Sequence, residues 1–306
     1  MTIDELVILS GKGGTGKTSL TAAFAQLADD VVLADADVDA ADLHLIAQPT
    51  IRRQWDFMSG YEAQIDLAAC HGCGRCATFC RFGAITMLDT PGQQPRRRPV
   101  LDPQACEGCG LCVDLCMADA IRLSVRTSGE LFVADTRFGP MAHARLGVGA
   151  GNSGQLVTRV RDEARKLAEA AAARLILTDG PPGIGCPVIA SLAGARGAVI
   201  VTEPTVSGRH DLQRVLELTD HFSLPAALIV NKADLNPAEA DAIEGLAADR
   251  GAATLGRLSF DPQMTHAMVA AQTVLEHAPD ADISRQVRGA WEALVEWMTG
   301  RPNGRD

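Results

Sequence analysis

The sequence predicts an α/β fold, with a mostly parallel sheet flanked by helices, and an inserted α+β segment rich in cysteine. First, short apolar runs that end in glycine or acidic residues alternate with helix-compatible stretches over most of the chain. Second, a glycine-rich loop joins the apolar run 6–9 to the helical stretch 17–29. Third, eight of the nine cysteines fall in two tight clusters, where the α/β pattern stops.

Composition narrows the class of protein. The chain has 306 residues, enough for two domains, and 47% of them are hydrophobic. A net charge of −10 argues against a nucleic-acid-binding surface, and 4% aromatic residues argue against base-stacking platforms. No apolar run approaches the ~20 residues of a membrane span, and no segment resembles a signal peptide. We therefore expect a cytoplasmic protein whose clustered cysteines bind metal rather than form disulfides.

The glycine-rich loop, residues 10–19, reads SGKGGTGKTS and contains the phosphate-binding pattern G-x-x-x-x-G-K-[ST]. Backbone N–H groups of such a loop converge on phosphate oxygens, and the following helix adds its positive N-terminal end. We expect Lys17 to reach the β- and γ-phosphates and Thr18 to bind Mg²⁺. The expected nucleotide-binding residues of the loop are Gly11, Gly13, Gly14, Thr15, Gly16, Lys17, Thr18 and Ser19. A glycine-rich turn that binds nothing would explain neither Lys17 nor Thr18.

Acidic residues follow the predicted strand at residues 31–34. Loops at the carboxyl ends of parallel strands face the ligand, so these carboxylates can position water and Mg²⁺ around a phosphate. The alternative is an ordinary polar loop after a strand. The four carboxylates are Asp35, Asp37, Asp39 and Asp42.

A second acid closes the predicted strand 175–178. Asp179 and Gly180 after an apolar run form the Walker B arrangement, so Asp179 should hold a water of the Mg²⁺ shell. Gly180 could rotate when a γ-phosphate is present, which makes residues 180–187 a candidate switch.

The cysteines form the pattern C-x2-C-x2-C-x3-C twice, 36 residues apart. The repeat extends beyond them, since Gly74 matches Gly110 and Ala84 matches Ala120. This spacing is typical of iron–sulfur ligation, and the alternative is a pair of structural zinc sites. The first run is Cys70, Cys73, Cys76 and Cys80, and the second is Cys106, Cys109, Cys112 and Cys116.

Residues 65–124 resemble bacterial two-cluster ferredoxins, in which the fourth cysteine of each run ligates the other cluster. The usual proline after that cysteine is replaced by Arg81 and by Met117, so the local solvation of each cluster should differ from that in the ferredoxins. The arginines 96–98 lie between the runs and form either a solvated hairpin tip or a site for an acidic partner. The resemblance implies one [4Fe–4S] cluster on Cys70, Cys73, Cys76 and Cys116, and a second on Cys80, Cys106, Cys109 and Cys112.

A wider resemblance rests on Lys12 beside the loop, on the acidic segment 35–37 and on the segment 179–183. Together they resemble the MinD/ParA deviant-Walker ATPases over residues 1–62 and 126–275, and more narrowly the MinD-type ATPases with an inserted two-cluster ferredoxin. The resemblance implies a dimer in which Lys12 reaches the phosphates bound in the other subunit.

The same resemblance implies roles for three further side chains. Asp37 would activate the attacking water, and Asp42 would be linked to Mg²⁺. Asn231 would contact adenine, which favours ATP, although the N-K-x-D spacing of residues 231–234 by itself leaves ATP and GTP open.

Nitrogenase iron protein is a more distant resemblance. That family binds a cluster between subunits with two cysteines from each, and here the equivalent positions are Ala150 and Cys186. Half of that ligand set is missing. We hypothesise that Cys186, on the switch near the dimer axis, pairs with its dimer mate in transient metal or cluster binding. The simpler interpretation is a small buried residue.

These observations give two predicted domains and three candidate functions. The ATPase domain takes residues 1–62 and 126–306, and the ferredoxin domain takes 63–125. The first candidate is an ATPase that couples nucleotide state to electron transfer, and the second is an ATP-dependent factor for iron–sulfur or metal-cofactor assembly and delivery. The third is a positioning or partition ATPase.

The expected cofactors are ATP, Mg²⁺ and two [4Fe–4S] clusters. The expected partners are a second copy or a related ATPase, and a redox or cluster-acceptor protein, with no nucleic acid and no membrane span.

Overall fold

The computed structural model describes residues 3–151 and 153–300, which separate into two compact units. The first unit comprises the described residues up to Gln54, then Leu131–Arg145, and those from Ser153 onward. The second comprises Trp55–Glu130 and residues 146–151. The predicted insert 63–125 falls inside Trp55–Glu130, which is longer at both ends. The predicted end of the ATPase domain, residue 306, lies outside the described residues.

Strands and helices alternate over Asp4–Ile65 and again over Gly139–Val269, as the sequence pattern predicts for most of the chain. The strands are β1 Asp4–Ser10, β2 Val31–Asp35, β3 Thr50–Ile65, β4 Ile85–Asp89, β5 Arg97–Leu101, β6 Ile121–Thr136, β7 Gly139–Leu146, β8 Leu175–Pro182, β9 Gly197–Thr202, β10 Ala226–Asn231 and β11 Ala253–Leu258. The helices are α1 Lys17–Leu27, α2 Leu43–Ala47, α3 Arg75–Phe79, α4 Leu111–Asp114, α5 Ser153–Ala171, α6 Cys186–Leu192, α7 Val206–His221, α8 Pro237–Asp249, α9 Pro262–Val269, α10 Val274–His277 and α11 Asp282–Thr299, with a 3₁₀ turn at Ala233–Leu235. None of the described helices is long and apolar enough to cross a membrane.

The main sheet has the strand order β11-β10-β9-β1-β8-β2-β7-β6-β3. β1 pairs in parallel with both β8 and β9, and the parallel pairing continues from β9 to β10 and β11 and from β8 to β2 and β7. This confirms the predicted mostly parallel sheet. The carboxyl ends of its central strands therefore meet at one edge, which is where ligands bind in such folds.

Helices cover both faces of this sheet, which explains why its strands read as continuous apolar runs. Successive residues of β1 point to opposite faces: Leu6 and Ile8 belong to one buried apolar cluster, and Val7 and Leu9 to the other. All four side chains are fully buried. The loop that follows β1 thus starts at the end of a fully buried stretch of strand.

β8 is longer than the predicted strand 175–178, because Ser10 pairs with Pro182 beyond a register shift. Asp179 and Gly180 therefore lie inside the strand and are buried. A Cβ at Gly180 would stand 2.5 Å from Leu9 Cδ2 and 2.9 Å from the carbonyl oxygen of Ile8. Close packing against β1 thus explains the glycine, and the predicted switch motion of Gly180 stays a prediction.

The second unit repeats one local motif. The short helices α3 and α4 each follow a glycine in the left-handed conformation, Gly74 with φ 76° and Gly110 with φ 81°. The strands β4 and β5 form an antiparallel pair between the two helices in sequence. The 36-residue sequence repeat is therefore matched by a repeat of backbone conformation.

A buried ion pair links four elements of the first unit. Arg161 on α5 donates to Glu5 Oε1 on β1 at 2.5 Å and to Oε2 at 2.8 Å. Thr178 on β8 donates to the same carboxylate at 3.1 Å, and Arg165 adds a second cation at 2.8 Å. Arg161 also donates to the carbonyl oxygens of Ala190 on α6, at 2.6 Å, and of Ala193. The sequence pattern gave no signal for this network.

We predict that Glu5→Ala destabilises the protein by about 3–5 kcal/mol, because it leaves the Arg161 guanidinium buried without its counter-charge. Urea unfolding of both proteins measures the difference. Lys166→Ala is the control, since that lysine is 66% exposed in its ion pair with Glu163 and should cost less than about 1 kcal/mol. Equal losses for the two variants would contradict the prediction.

Candidate functional site

The predicted phosphate loop joins β1 to α1, and α1 begins at Lys17. Gly16, the residue before the helix, has φ 90°, which side chains with a Cβ rarely adopt. A Cβ at this position would also stand 2.6 Å from Asn231 Nδ2. Glycine is therefore required here both by the backbone conformation and by the space available.

Asn231, the last residue of β10, binds the phosphate loop through its side-chain amide. Its Nδ2 donates to the carbonyl oxygen of Thr15 at 2.7 Å, and its Oδ1 accepts from the backbone N–H of Lys232 at 2.9 Å. The side chain is buried. This contact fixes the loop to the end of the sheet, and the predicted contact of Asn231 with adenine stays a prediction.

Asp179 is the common acceptor of the site. Lys17 Nζ donates to its Oδ1 at 2.8 Å, and Thr18 Oγ1 donates to its Oδ2 at 2.7 Å. Thr21, one helical turn after Lys17, donates to Oδ1 at 3.1 Å. Sequence reasoning missed Thr21, although its spacing of four places it on the same face of α1 as Lys17.

Asp37 and Asp35 complete the charge balance around Lys17. The Oδ2 of Asp37 lies 3.5 Å from Lys17 Nζ. Burial acts to lower the pKa of Lys17, but the carboxylates of Asp179, Asp37 and Asp35 outweigh it and raise that pKa. Burial raises the pKa of Asp37, and it raises the pKa of Asp35 much further, with Asp179 adding to the effect. One buried ammonium thus faces three crowded carboxyl groups, an environment that favours an additional cation.

Asp35 and Asp42 differ in position from Asp37. Asp35 is fully buried and accepts from the backbone N–H groups of Asp37 and Leu43, both at 3.2 Å, so it shapes the acidic loop. Asp42 is exposed and precedes the first residue of α2. Asp39 is also exposed. The sequence pattern could not separate these four carboxylates, because their burial depends on how the loop folds back.

Lys12 lies on the outside of the loop and pairs with a residue that the sequence pattern did not single out. Its Nζ lies 2.8 Å from Glu203 Oε2, with the lysine side chain 36% exposed. Glu203 follows β9 and also binds Lys232 at 2.5 Å. Burial acts to raise the pKa of Glu203, but the two lysines outweigh it and lower that pKa.

The remaining predicted residues surround this arrangement. Gly11 approaches α7, where a Cβ would stand 2.2 Å from Asp211 Cβ. Gly13 and Gly14 are exposed, with open space where a Cβ would be. Ser19 is half-buried, and its Oγ lies 3.8 Å from Met268 Sδ.

Cys186 is the first residue of α6 and is exposed. The interpretation as a small buried residue is therefore wrong. Its predicted pairing with a dimer mate stays a prediction.

The eight clustered cysteines lie in the second unit and are free thiols. One cavity, here called the Cys70 cavity, has a volume of about 240 Å³, and the other, the Cys80 cavity, is a narrow space of about 30 Å³. Within residues 3–151 and 153–300, no group of three or more His, Cys, Asp or Glu side chains converges as the ligands of a single metal ion do. The Cys70 cavity is lined by Cys70, Cys73, Cys76 and Cys116, and the Cys80 cavity by Cys80, Cys106, Cys109 and Cys112 together with Cys76.

The parallel sheet, the loop before α1 and the Lys17–Asp179 contact together define a nucleotide-binding protein of the P-loop class. Residues 6–274 match the CobQ/CobB/MinD/ParA nucleotide binding domain. The chain belongs to this family.

Individual relatives agree with this assignment. The uncharacterized protein MJ0578 of Methanocaldococcus jannaschii is 34% identical over 239 residues, which cover 76% of this chain and 80% of the relative. The MinD of the Aquifex aeolicus MinC:MinD cell division complex and the Pyrococcus horikoshii MinD complexed with Mg-ADP share the fold, with TM-scores of 0.56 and 0.55. Their identities are 17% and 16%, over 99% of this chain and 98% and 100% of theirs.

One buried titratable residue lies beside the acidic loop. His143 on β7 pairs in register with Asp35, and its ring stacks on Phe132 at 4.8 Å and on His44 at 6.2 Å between ring centroids. Its Nε2 has no hydrogen-bond partner in the described part of the chain. Burial, with a smaller contribution from His44, lowers the pKa of His143 to about 4.

We predict that His143 makes the protein less stable as the pH falls from about 6.5 towards 4. The unfolded chain takes up a proton at the ordinary histidine pKa, whereas the folded chain resists it, so protonation favours unfolding. A tenfold difference in proton affinity is worth about 1.4 kcal/mol, which gives an effect of about 3 kcal/mol.

His143→Phe keeps an aromatic ring against Phe132 and removes the titratable group. Between pH 7.5 and pH 4, the variant should lose about 3 kcal/mol less unfolding free energy than the wild type. Chemical denaturation at both pH values measures this, and identical losses would show that His143 takes up its proton equally in both states.

Proposed function

We propose that this protein is a dimeric MinD/ParA-type ATPase that couples its nucleotide state to electron transfer through two [4Fe–4S] clusters. The observation that supports the redox part of the proposal is that each of two cavities is lined by the four cysteines that one cluster of a two-cluster ferredoxin would use, with Cys76 lining both. The membership of the MinD/ParA family carries the nucleotide half.

ATP and Mg²⁺ would bind where Lys17, Thr18 and Asp179 now bond to one another. Lys17 would turn towards the β- and γ-phosphates, and Thr18 would bind Mg²⁺, with Asp179 holding a water of its shell. The metal would neutralise charge on the phosphates. Asp37, 3.5 Å from Lys17 Nζ, would orient and activate the attacking water. Asp42 would be linked to Mg²⁺, and Asn231 would contact adenine.

The dimer proposal rests on Lys12. Its side chain is partly exposed and held by a single carboxylate within its own subunit. In the dimer it would leave Glu203 and reach the phosphates bound by the other subunit, which would be a second copy or a related ATPase. The switch residues Gly180 and Cys186 belong to the same proposal.

The cysteine sets fit a cubane cluster better than a single ion. Tetrahedral zinc with bonds of about 2.3 Å draws its four sulfur ligands to about 3.8 Å from one another. The four cysteines of each set line one cavity, and these thiolates would hold a cubane cluster there. The clusters would supply one-electron storage, while the chain supplies the thiolates and their surroundings.

The first experiment separates the two halves of the proposal. Lys17→Ala should lower ATP hydrolysis at least a hundredfold, because the phosphates lose their buried cation, and leave the visible absorption of the clusters unchanged. Lys166→Ala, an exposed lysine on α5, is the control and should keep both properties. If Lys17→Ala remained folded by circular dichroism but lost both ATP hydrolysis and the cluster absorption, the proposal that the two activities belong to separate units would be contradicted.

The second experiment tests the clusters. Protein purified without oxygen should contain about eight iron and eight sulfide ions per chain. Cys116→Ser and Cys80→Ser should each weaken one cluster, Cys116→Ser the one on the Cys70 set and Cys80→Ser the other. Two zinc ions and no sulfide would overturn the redox proposal.

A cluster assembly and delivery factor is the second candidate, because Cys73 and Cys109 are exposed and open to an acceptor thiol. Clusters that survive repeated redox cycling support electron transfer, and clusters lost to an apo-acceptor support delivery. The third candidate, a positioning or partition ATPase, is motivated by the shared fold of the MinD structures.

A further inference from the structure

The duplication that produced two cysteine sets is broken at the charged residues beside them. Positions 36 residues apart carry His71 and Glu107, Arg75 and Leu111, and Arg81 and Met117. Cysteine spacing and the glycines before α3 and α4 are the same in both halves. The differences therefore fall on the surroundings of the clusters rather than on their ligands.

These residues are distributed unequally between the linings of the two cavities. The Cys70 cavity is lined by His71, Arg75 and Met117, with no acidic residue in its lining. Arg75 Nη1 lies 2.8 Å from Met117 Sδ, a contact that holds the guanidinium at the edge of the cavity. Apart from the cysteines, the lining of the Cys70 cavity thus contributes the positive charge of Arg75 with no carboxylate to offset it.

In the Cys80 cavity, the positive charge of Arg81 is offset by Glu107. The Arg81 guanidinium lies 5.0 Å from the ring centroid of Phe82, and Phe79 also lines this cavity. Its surroundings are therefore close to neutral, narrower and more apolar than those of the Cys70 cavity.

Backbone donors show the same asymmetry. Gly72 N–H donates to Cys70 Sγ at 3.4 Å, and Ala120 N–H donates to Cys116 Sγ at 3.3 Å, so both bonds reach the Cys70 set. The 36-residue repeat relates these two pairs to Gly108 with Cys106 and to Ala84 with Cys80. Within the described part of the chain, neither of the related pairs forms an N–H···S hydrogen bond. N–H donors and positive charge stabilise the reduced, more negative cluster and raise its reduction potential.

We propose that the cluster on the Cys70 set has the higher reduction potential and that Arg75 is the main residue that raises it. Glu107 correspondingly lowers the potential of the cluster on the Cys80 set. With clusters bound, the thiolates of the two sets would hold centres of unequal potential, and a single electron would favour the centre on the Cys70 set. Cys76 lines both cavities, so the two clusters share a wall. This inference rests on the proposed function.

The test is a redox titration of the full chain, purified without oxygen and reduced with dithionite, followed by electron paramagnetic resonance. The wild type should show two one-electron waves. Arg75→Leu, which copies the residue of the other half-repeat, should lower only the upper wave. The reduced-to-oxidised ratio of that cluster should fall about three- to tenfold at a fixed potential, about 30–60 mV.

Glu107→His, the reciprocal copy, should raise only the lower wave. Arg96→Leu is the control, because Arg96 is exposed in the same unit and lines neither cavity, and it should move neither wave. Cys116→Ser assigns the waves, since the cluster that it weakens should be the upper one. The effect of Arg75 should shrink at high salt, because its side chain is exposed, whereas a merely structural role would not respond.

The outcomes separate the two proposals. A chain without iron and sulfide would overturn the proposed function. Two clusters with coincident waves, or a shift of the lower wave in Arg75→Leu, would overturn this inference and leave the proposed function standing.

Discussion

The nucleotide site depends on one carboxylate, that of Asp179, which is fully buried and accepts from Lys17, Thr18 and Thr21. A buried carboxylate with no partner would cost several kcal/mol, so these three donors and the strand that carries Asp179 stabilise one another. Because β8 and β1 pair in parallel through Ile8 and Asp179, the carboxylate has a fixed position relative to the loop after β1. The first residues of α1 are therefore positioned both by the sheet and by the Asp179 side chain.

The fold and the first set of site residues were predictable because their signals are local. The loop 10–19 lies between an apolar run and a helix, and β1 and α1 follow that pattern within two residues. The predicted strand at 31–34 also appears, as β2. Family membership followed from the order of the short motifs along the chain.

Other parts of the site depend on contacts between distant segments, for which a single sequence gives no signal. Glu203 is 191 residues from Lys12, and nothing near either residue indicates their ion pair. The extension of β8 to Pro182 arises from pairing with Ser10, not from its own composition. The distinction between the buried Asp35 and the exposed Asp42 likewise depends on the backbone donors of Asp37 and Leu43, which reach only one of them.

The Glu203 carboxylate has two cations, Lys12 and Lys232, and this changes the energetics of moving one of them. Glu203 is mostly buried, with 14% of its side chain exposed, so losing its only counter-charge would be costly. With Lys232 still 2.5 Å away, the departure of Lys12 leaves a compensated pair rather than a bare anion. Moving Lys12 away from Glu203 therefore costs less free energy than it would if Lys232 were absent.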